Sequence, residues 1–324
     1  MTVLTSWRQR LLPLTRKLAA LQPPPGGLRL WISLLSFGFV LAALVAHGAQ
    51  LLQLRLDLQG WLWLVLGVGI SLVSLVANGL GLGVVLLWLG LHPRWQELVL
   101  AYLDTNLRKY LPGGIWHLTS RLHLLRNAEA PLAQPASTPV ALLAVLLDPL
   151  VAAVAALALV PLGGWQAGLG AAALVPLALL WPQWLQPLLQ GLERRQASRL
   201  GLEDPAAAAP PPLAGYPWPP LVAQLVFVLL RFAGFACCVL AFELQGSLEW
   251  TGWLAGFALA WTAGLVVPAA PGGLGVFEAA LLLRLGAAIP EAQLLAVAIS
   301  YRVMVTVADL LAAGLARLDR RWSA

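Results

Sequence analysis

Pro268-Ala269-Ala270-Pro271-Gly272-Gly273-Leu274-Gly275-Val276-Phe277-Glu278 interrupts a run of residues otherwise apolar enough to cross a membrane. Proline removes a backbone donor and clashes with the preceding helical turn, and glycine costs backbone entropy, so this stretch does not continue a helix. In lipid, each backbone group freed by such a break needs a partner or access to water. A carboxylate, Glu278, follows at once. Broken backbone beside a charge at membrane depth is the arrangement from which transporters build substrate sites.

The surroundings of the break are apolar along the whole chain. Of 324 residues, 60% are hydrophobic and 10% charged, with a mean hydropathy of +0.81. Soluble domains carry about 25% charged residues, so a water-facing globule is excluded. The pattern predicts an all-α integral membrane protein of about eight transmembrane helices plus a re-entrant or broken-helix segment. The expected spans are Leu30–Gln50, Trp61–Leu91, Val140–Val160, Trp165–Leu189, Leu221–Glu243, Leu248–Val267, a short Leu274–Ile289 and Glu291–Arg317. They form a polytopic domain over 30–317, preceded by a basic interfacial segment (1–29) and followed by a short tail (318–324). Residues 201–220 hold seven prolines and a four-alanine run, a polyproline-like connector.

The net charge of +6 comes from Lys and Arg that flank helices, which points to anionic lipid headgroups and away from nucleic acid. Basic residues concentrate in the N-terminus, in 92–139, after Leu189 and at the C-terminus, while the alternate loops carry only Arg55 or none. By the positive-inside rule both termini are expected in the cytoplasm, which requires an even number of crossings. On that topology both Pro-Gly-Gly breaks lie on the cytoplasmic side and feed one cavity. Adjacent Cys237 and Cys238 suit packing better than a disulfide or a zinc site.

The second informative stretch runs from Asn106 to Arg121 and contains Pro112-Gly113-Gly114. It lies in a connection too long and apolar for a simple loop, and a re-entrant segment is expected at about 98–127. Exposed amides at a helix start attract anions, and Lys109 and Arg121 supply positive charge for a phosphate. The competing reading is an interfacial helix with Tyr110 and Trp116 as belt anchors. Six ionisable residues fall inside spans: Asp148, Arg231, Glu278, Arg284, Arg302 and Asp309. Each costs about 2.5–3.5 kcal/mol at a helix centre, so they must pair or line a polar cavity. Their formal charges cancel, which fits a structural network and equally an anion site whose arginines are held by acids. Arg302 beside Tyr301 is the preferred headgroup ligand. Arg231, with Asp148 and Asp309, is assigned to the structural network. His117 and His123 have no companion at metal-ligand spacing, and no cofactor, nucleotide-binding or nucleophile motif is present.

Asn106–Arg121, Pro268–Glu278, Ser300-Tyr301-Arg302 and Asp309 together resemble the transmembrane, flippase-like region of lysylphosphatidylglycerol synthetases. That region also occurs alone in bacterial and archaeal membrane proteins. The resemblance covers nearly the whole chain, and its most specific part is Pro271-Gly272-Gly273-Leu274-Gly275-Val276-Phe277-Glu278. It implies a polytopic bundle in the plasma membrane that handles anionic, aminoacylated or polyprenyl-linked lipids. Ala324 ends the chain seven residues past the last expected span, so synthase activity is expected to be absent. Asp148 and Asp309 stand where many relatives are expected to carry glutamate.

The leading expectation is a lipid translocator or lipid-binding transporter. Lys109, Tyr110, Arg121, Glu278, Arg284, Tyr301 and Arg302 would contact the headgroup. The backbone at Pro112, Gly113, Gly114, Pro271, Gly272, Gly273 and Gly275 would open the polar path. Two alternatives remain: a membrane enzyme that modifies a headgroup with His117 or Glu278 as base, and a scaffold for a separately encoded envelope enzyme.

Overall fold

A computed structural model describes residues 56–110, 116–127, 131–164, 168–200, 213, 215–267 and 273–322. The basic N-terminal segment, the expected span Leu30–Gln50, Pro112-Gly113-Gly114, most of the proline-rich connector and Pro268–Gly272 lie outside the described residues. Among those described the chain is helical, with a lone antiparallel bridge between Pro93 and Leu132 and no strand.

Helix α1 (Leu58–Trp88) is capped by Asp57, whose Oδ1 accepts from the Gly60 amide at 2.6 Å. Next come α2 (Trp95–Asn106), a 3-10 turn (Leu107–Tyr110) and α3 (Trp116–Arg126). Two short helices thus flank the first Pro-Gly-Gly. The ends of this excursion are clasped: Arg94 N donates to Pro131 O at 2.8 Å and Ala133 N to His92 O at 3.0 Å. Helix α4 (Thr138–Leu157) continues into a 3-10 turn at Val160–Gly163. The rest are α5 (Leu169–Leu179), α6 (Pro182–Leu200), α7 (Trp218–Ala241), α8 (Trp250–Val266), α9 (Val276–Leu285) and α10 (Glu291–Trp322).

Among the described residues four helices are long and apolar enough to cross a membrane: α1, α4 with its continuation, α7 and α10; counting the bent α5–α6 pair as one gives five. Eight were expected, of which the first, Leu30–Gln50, lies outside the described residues. The expected straight span Trp165–Leu189 is instead two helices meeting at 83°. Pro182 explains the bend, because it lacks an N–H and disfavours the helical conformation of Trp181 before it. Helix α8 has 17 residues and α9 has 10. At 1.5 Å per residue they reach about 25 and 15 Å, against a hydrocarbon core of about 30 Å. The last helix runs on through the expected tail to Trp322. Leu311, Leu315, Leu318 and Trp322 form an exposed apolar stripe at helical spacing, which carries the helix past Arg317.

The helices are apolar outside, and the core combines large apolar side chains with a face of small residues on α1. Leu62, Val65, Leu66 and Val73 of α1, Val222 and Val226 of α7, and Val303, Leu310 and Leu315 of α10 are exposed. Inside, α1 presents Gly67, Ser71, Ser74 and Gly79. Its main partner is α7. Small residues let the two backbones approach, as is usual where lipid supplies no hydrophobic drive. A Cβ on Gly67 would sit 3.1 Å from the Cys237 Cβ, and one on Gly234 would sit 2.9 Å from the Ser71 Oγ. Helix α4 is the most enclosed of the spans and forms the centre of the bundle. Beside it, Phe232, Phe235, Phe257, Phe277 and Tyr301 interlock across α7, α8, α9 and α10.

A Cβ on Gly60 would lie 2.8 Å from the carbonyl oxygen of Ala241, a backbone atom that cannot step aside, whereas one on Gly69 meets nothing within 4 Å. Gly60→Ala should therefore force α1 from the end of α7 and destabilise by about 1–3 kcal/mol. Gly69→Ala should be neutral or stabilising. Thermal unfolding of the detergent-purified variants by tryptophan fluorescence checks the pair.

Candidate functional site

Most of the charges within the bundle gather around one cavity of about 210 Å³. Its wall includes Lys109 and Tyr110, which adjoin the first break, and Gly273, which closes the second. Residues bordering both Pro-Gly-Gly segments therefore share one space. Arg121, Asp148, Arg231, Tyr301 and Arg302 also line it.

Three ion pairs stand around this space, each joining two chain segments. The first links the 3-10 turn to α10. Asp309, 1% exposed, accepts from Lys109 Nζ at 2.6 Å, Tyr110 Oη at 2.5 Å and Asn106 Nδ2 at 2.8 Å. Three donors on one carboxylate leave its charge well compensated. The second pair links α3 to α4. Arg121 NH1 lies 3.7 Å from Asp148 Oδ2, while Gln224 Nε2 of α7 donates to Asp148 Oδ1 at 2.6 Å. The Arg121 guanidinium also stacks 3.7 Å over the Tyr102 ring.

The third pair secures the second break. Arg302 Nε donates to Glu278 Oε1 at 3.0 Å, and its NH2 donates to the Gly273 carbonyl at 2.6 Å. Glu278 Oε2 accepts the Gly275 amide at 2.7 Å, which caps α9. Gly273 and Gly275 have φ of +74° and +82°. A Cβ at Gly273 would also lie 2.8 Å from the Gly264 carbonyl oxygen of α8. Left-handed backbone and close approach together require glycine there.

Arg231 of α7 departs from the pattern. It is 5% exposed, and its Nε and NH1 find no hydrogen-bond partner among the described residues. It sits 5.5 Å over the Phe227 ring. Arg121 Nε and His117 Nδ1 are likewise buried without a partner, and all three residues line the cavity. Burial, then the charges of Arg121 and Lys109, lower the His117 pKa to about 3, so its imidazole is neutral at pH 7. Among the described residues four cations thus face three carboxylates around this cavity, a formal excess of one positive charge.

Of the sequence-predicted residues, Lys109, Tyr110, Arg121, Tyr301, Arg302, Arg231 and Asp148 line the cavity, with Glu278 and Asp309 directly behind Arg302 and Lys109. Arg284, on the last turn of α9, is not among the lining residues. Pro112, Gly113, Gly114, Pro271 and Gly272 lie outside the described residues. Tyr301 is 3% exposed and sits against Phe235, Phe257 and Phe277 at centroid distances of 5.6, 5.6 and 5.5 Å, so most of its ring is packing surface. Sequence reading passed over Asn106, which bridges Asp309 to Arg121 (Arg121 NH2 to Asn106 Oδ1, 3.5 Å), and over Gln224 and Asn78. The available signal was an amide inside an otherwise apolar helix. No protein-family model matches the chain, and no curated protein matches it.

Removing one member of a buried ion pair strands the other. Asp309→Leu alone should destabilise by about 3 kcal/mol and lower folded yield, and Lys109→Met with Asp309→Leu should recover part of it, the donors of Tyr110 and Asn106 staying without their acceptor. A double-mutant cycle on thermal unfolding in detergent checks this; additive losses would show the pair is not coupled.

Proposed function

We propose that this protein binds a lipid by its anionic headgroup, a phospholipid or a polyprenyl phosphate, and moves it across a prokaryotic plasma membrane. The observation that carries the reading is one cavity ringed by four cations, inside helices whose outer faces are apolar. Such an interior is expensive for a scaffold and useful to a protein that must carry a charged group past lipid tails. The resemblance to the flippase-like region of lysylphosphatidylglycerol synthetases supports the same reading, as do backbone breaks beside charge. The proposed topology has eight crossings with both termini cytoplasmic.

Glu278 serves this function as a positioning residue. Both its oxygens are engaged, by Arg302 and by the Gly275 amide, which leaves it poorly placed as a general base. Arg302 binds the Gly273 carbonyl, next to the break, while presenting its charge to the cavity. Headgroup passage then requires no covalent chemistry, and the movement is downhill or ion-coupled.

Reconstitution into liposomes with a fluorescent headgroup-labelled phosphatidylglycerol tests the proposal. The native protein should accelerate leaflet exchange. Arg302→Ala and Glu278→Gln should each slow it at least about tenfold, the equivalent of about 1.4 kcal/mol. Exchange no faster than in protein-free liposomes would reject translocation.

A further inference from the structure

The charge balance of the cavity identifies its ligand more narrowly; this step rests on the headgroup reading just given. Lys109, Arg121 and Arg302 each have a carboxylate within 4 Å, so each of these three cations has a formal countercharge at hand. Arg231 has none within 4 Å among the described residues and feels Asp309 only at longer range. A buried guanidinium without a close counter-ion is an unfavourable group for a fold to hold, and one aromatic face at 5.5 Å does not replace the lost hydrogen bonds. Its unpartnered Nε and NH1 belong to a residue on the cavity wall, as does the unpartnered Nε of Arg121. The guanidinium presents donors in a planar fork that matches the oxygens of a phosphate.

We propose that Arg231 is the primary anion ligand of this cavity, seconded by Arg121, and that the site takes a single negative charge. A phosphodiester headgroup brings one charge and cancels the excess. A phosphomonoester carries about −1.5 to −2 and would leave a negative charge buried without a partner. The site therefore favours phosphodiester lipids over monoester lipids. Within the proposed function this places polyprenyl monophosphate and phosphatidic acid second to glycerophosphodiester lipids.

The test uses the full chain in neutral detergent at about pH 8.5, where a monoester holds close to two charges. Binding of dioleoyl phosphatidylglycerol, phosphatidic acid and phosphatidylcholine is read by native mass spectrometry. Dimethyl phosphate and methyl phosphate serve as soluble probes by thermal shift. We expect phosphatidylglycerol to bind about tenfold more tightly than phosphatidic acid, and dimethyl phosphate to stabilise more than methyl phosphate. In Arg231→Met and Arg231→Gln the phosphatidylglycerol preference should fall at least about tenfold, while the ligand-free protein melts at or above the native temperature because an unpaired charge is gone. A residue with a merely structural role would lower that temperature instead.

Native-like binding in a folded Arg231 variant, or a native preference for the monoester probes, overturns the proposal; the second result needs no variant to fold. Arg231-dependent binding without leaflet exchange sinks translocation and leaves this inference standing. Leaflet exchange at native rate in Arg231→Met, with native affinity, does the reverse. Stabilisation by dimethyl phosphate with no lipid bound assigns the site to a small soluble anion and removes the lipid. No response to any probe rejects both.

Discussion

Where the backbone leaves the helical path inside an apolar bundle, its polar groups must be satisfied by protein, and here that duty falls to Arg302 and Glu278. Arg302 donates to the Gly273 carbonyl, and Glu278 accepts the Gly275 amide while pairing with Arg302. The pair therefore caps α9 and ties the break to α10. It also sets where the ten-residue α9 begins, and with it the position of Phe277 between Phe235, Phe257 and Tyr301. A hydrophobic pair of equal volume could fill the same space but could not satisfy a carbonyl and an amide, so charge is needed at this point for a backbone reason.

The other buried charges have a different warrant. Ion pairs removed from water gain little over well-packed apolar side chains, so the Lys109–Asp309 and Arg121–Asp148 pairs are weak evidence of stability. Cohesion comes instead from close helix contact: the glycine and serine face of α1 against α7, and the interlocked rings beside α9. What the pairs supply is placement. Asp309 holds the turn that follows α2, Asp148 holds α3, and Glu278 holds the second break, so three carboxylates from three helices aim three cations at one space.

Sequence reading reached the helical class and the positions of α1, α4, α7, α8 and α10 within a few residues, because an apolar run bounded by charge or proline is a strong local signal. It failed where local signals mislead. The run from Trp165 to Leu189 is apolar enough for a straight span, and only the weight given to Pro182 separates that from an 83° bend. The charged residues were recognised one by one, as groups that must pair or line a cavity. Which cation each acid would choose depends on helix crossing, which no periodicity encodes. Arg231 was set aside as structural because nothing in its neighbourhood on α7 distinguishes a paired arginine from an unpaired one. The amides Asn106 and Gln224 went unassigned for the same reason: their partners lie 203 and 76 residues away.

A cavity in which every cation had a close carboxylate would have little to offer an anion. A ligand approaching Lys109 competes with a carboxylate at 2.6 Å, and one approaching Arg302 competes with Glu278 and with the break that Arg302 holds. Engaging either would loosen the framework that shapes the site. Arg231 carries no such obligation among the described residues, so an anion can reach it without dismantling a pair. Its unfavourable burial in the ligand-free fold becomes binding free energy once a counter-ion arrives. The three pairs and the odd arginine thus divide the work. The pairs hold residues that border the two breaks around the cavity, and in the function we propose the cation left without a close carboxylate gives that cavity its preference for negative charge.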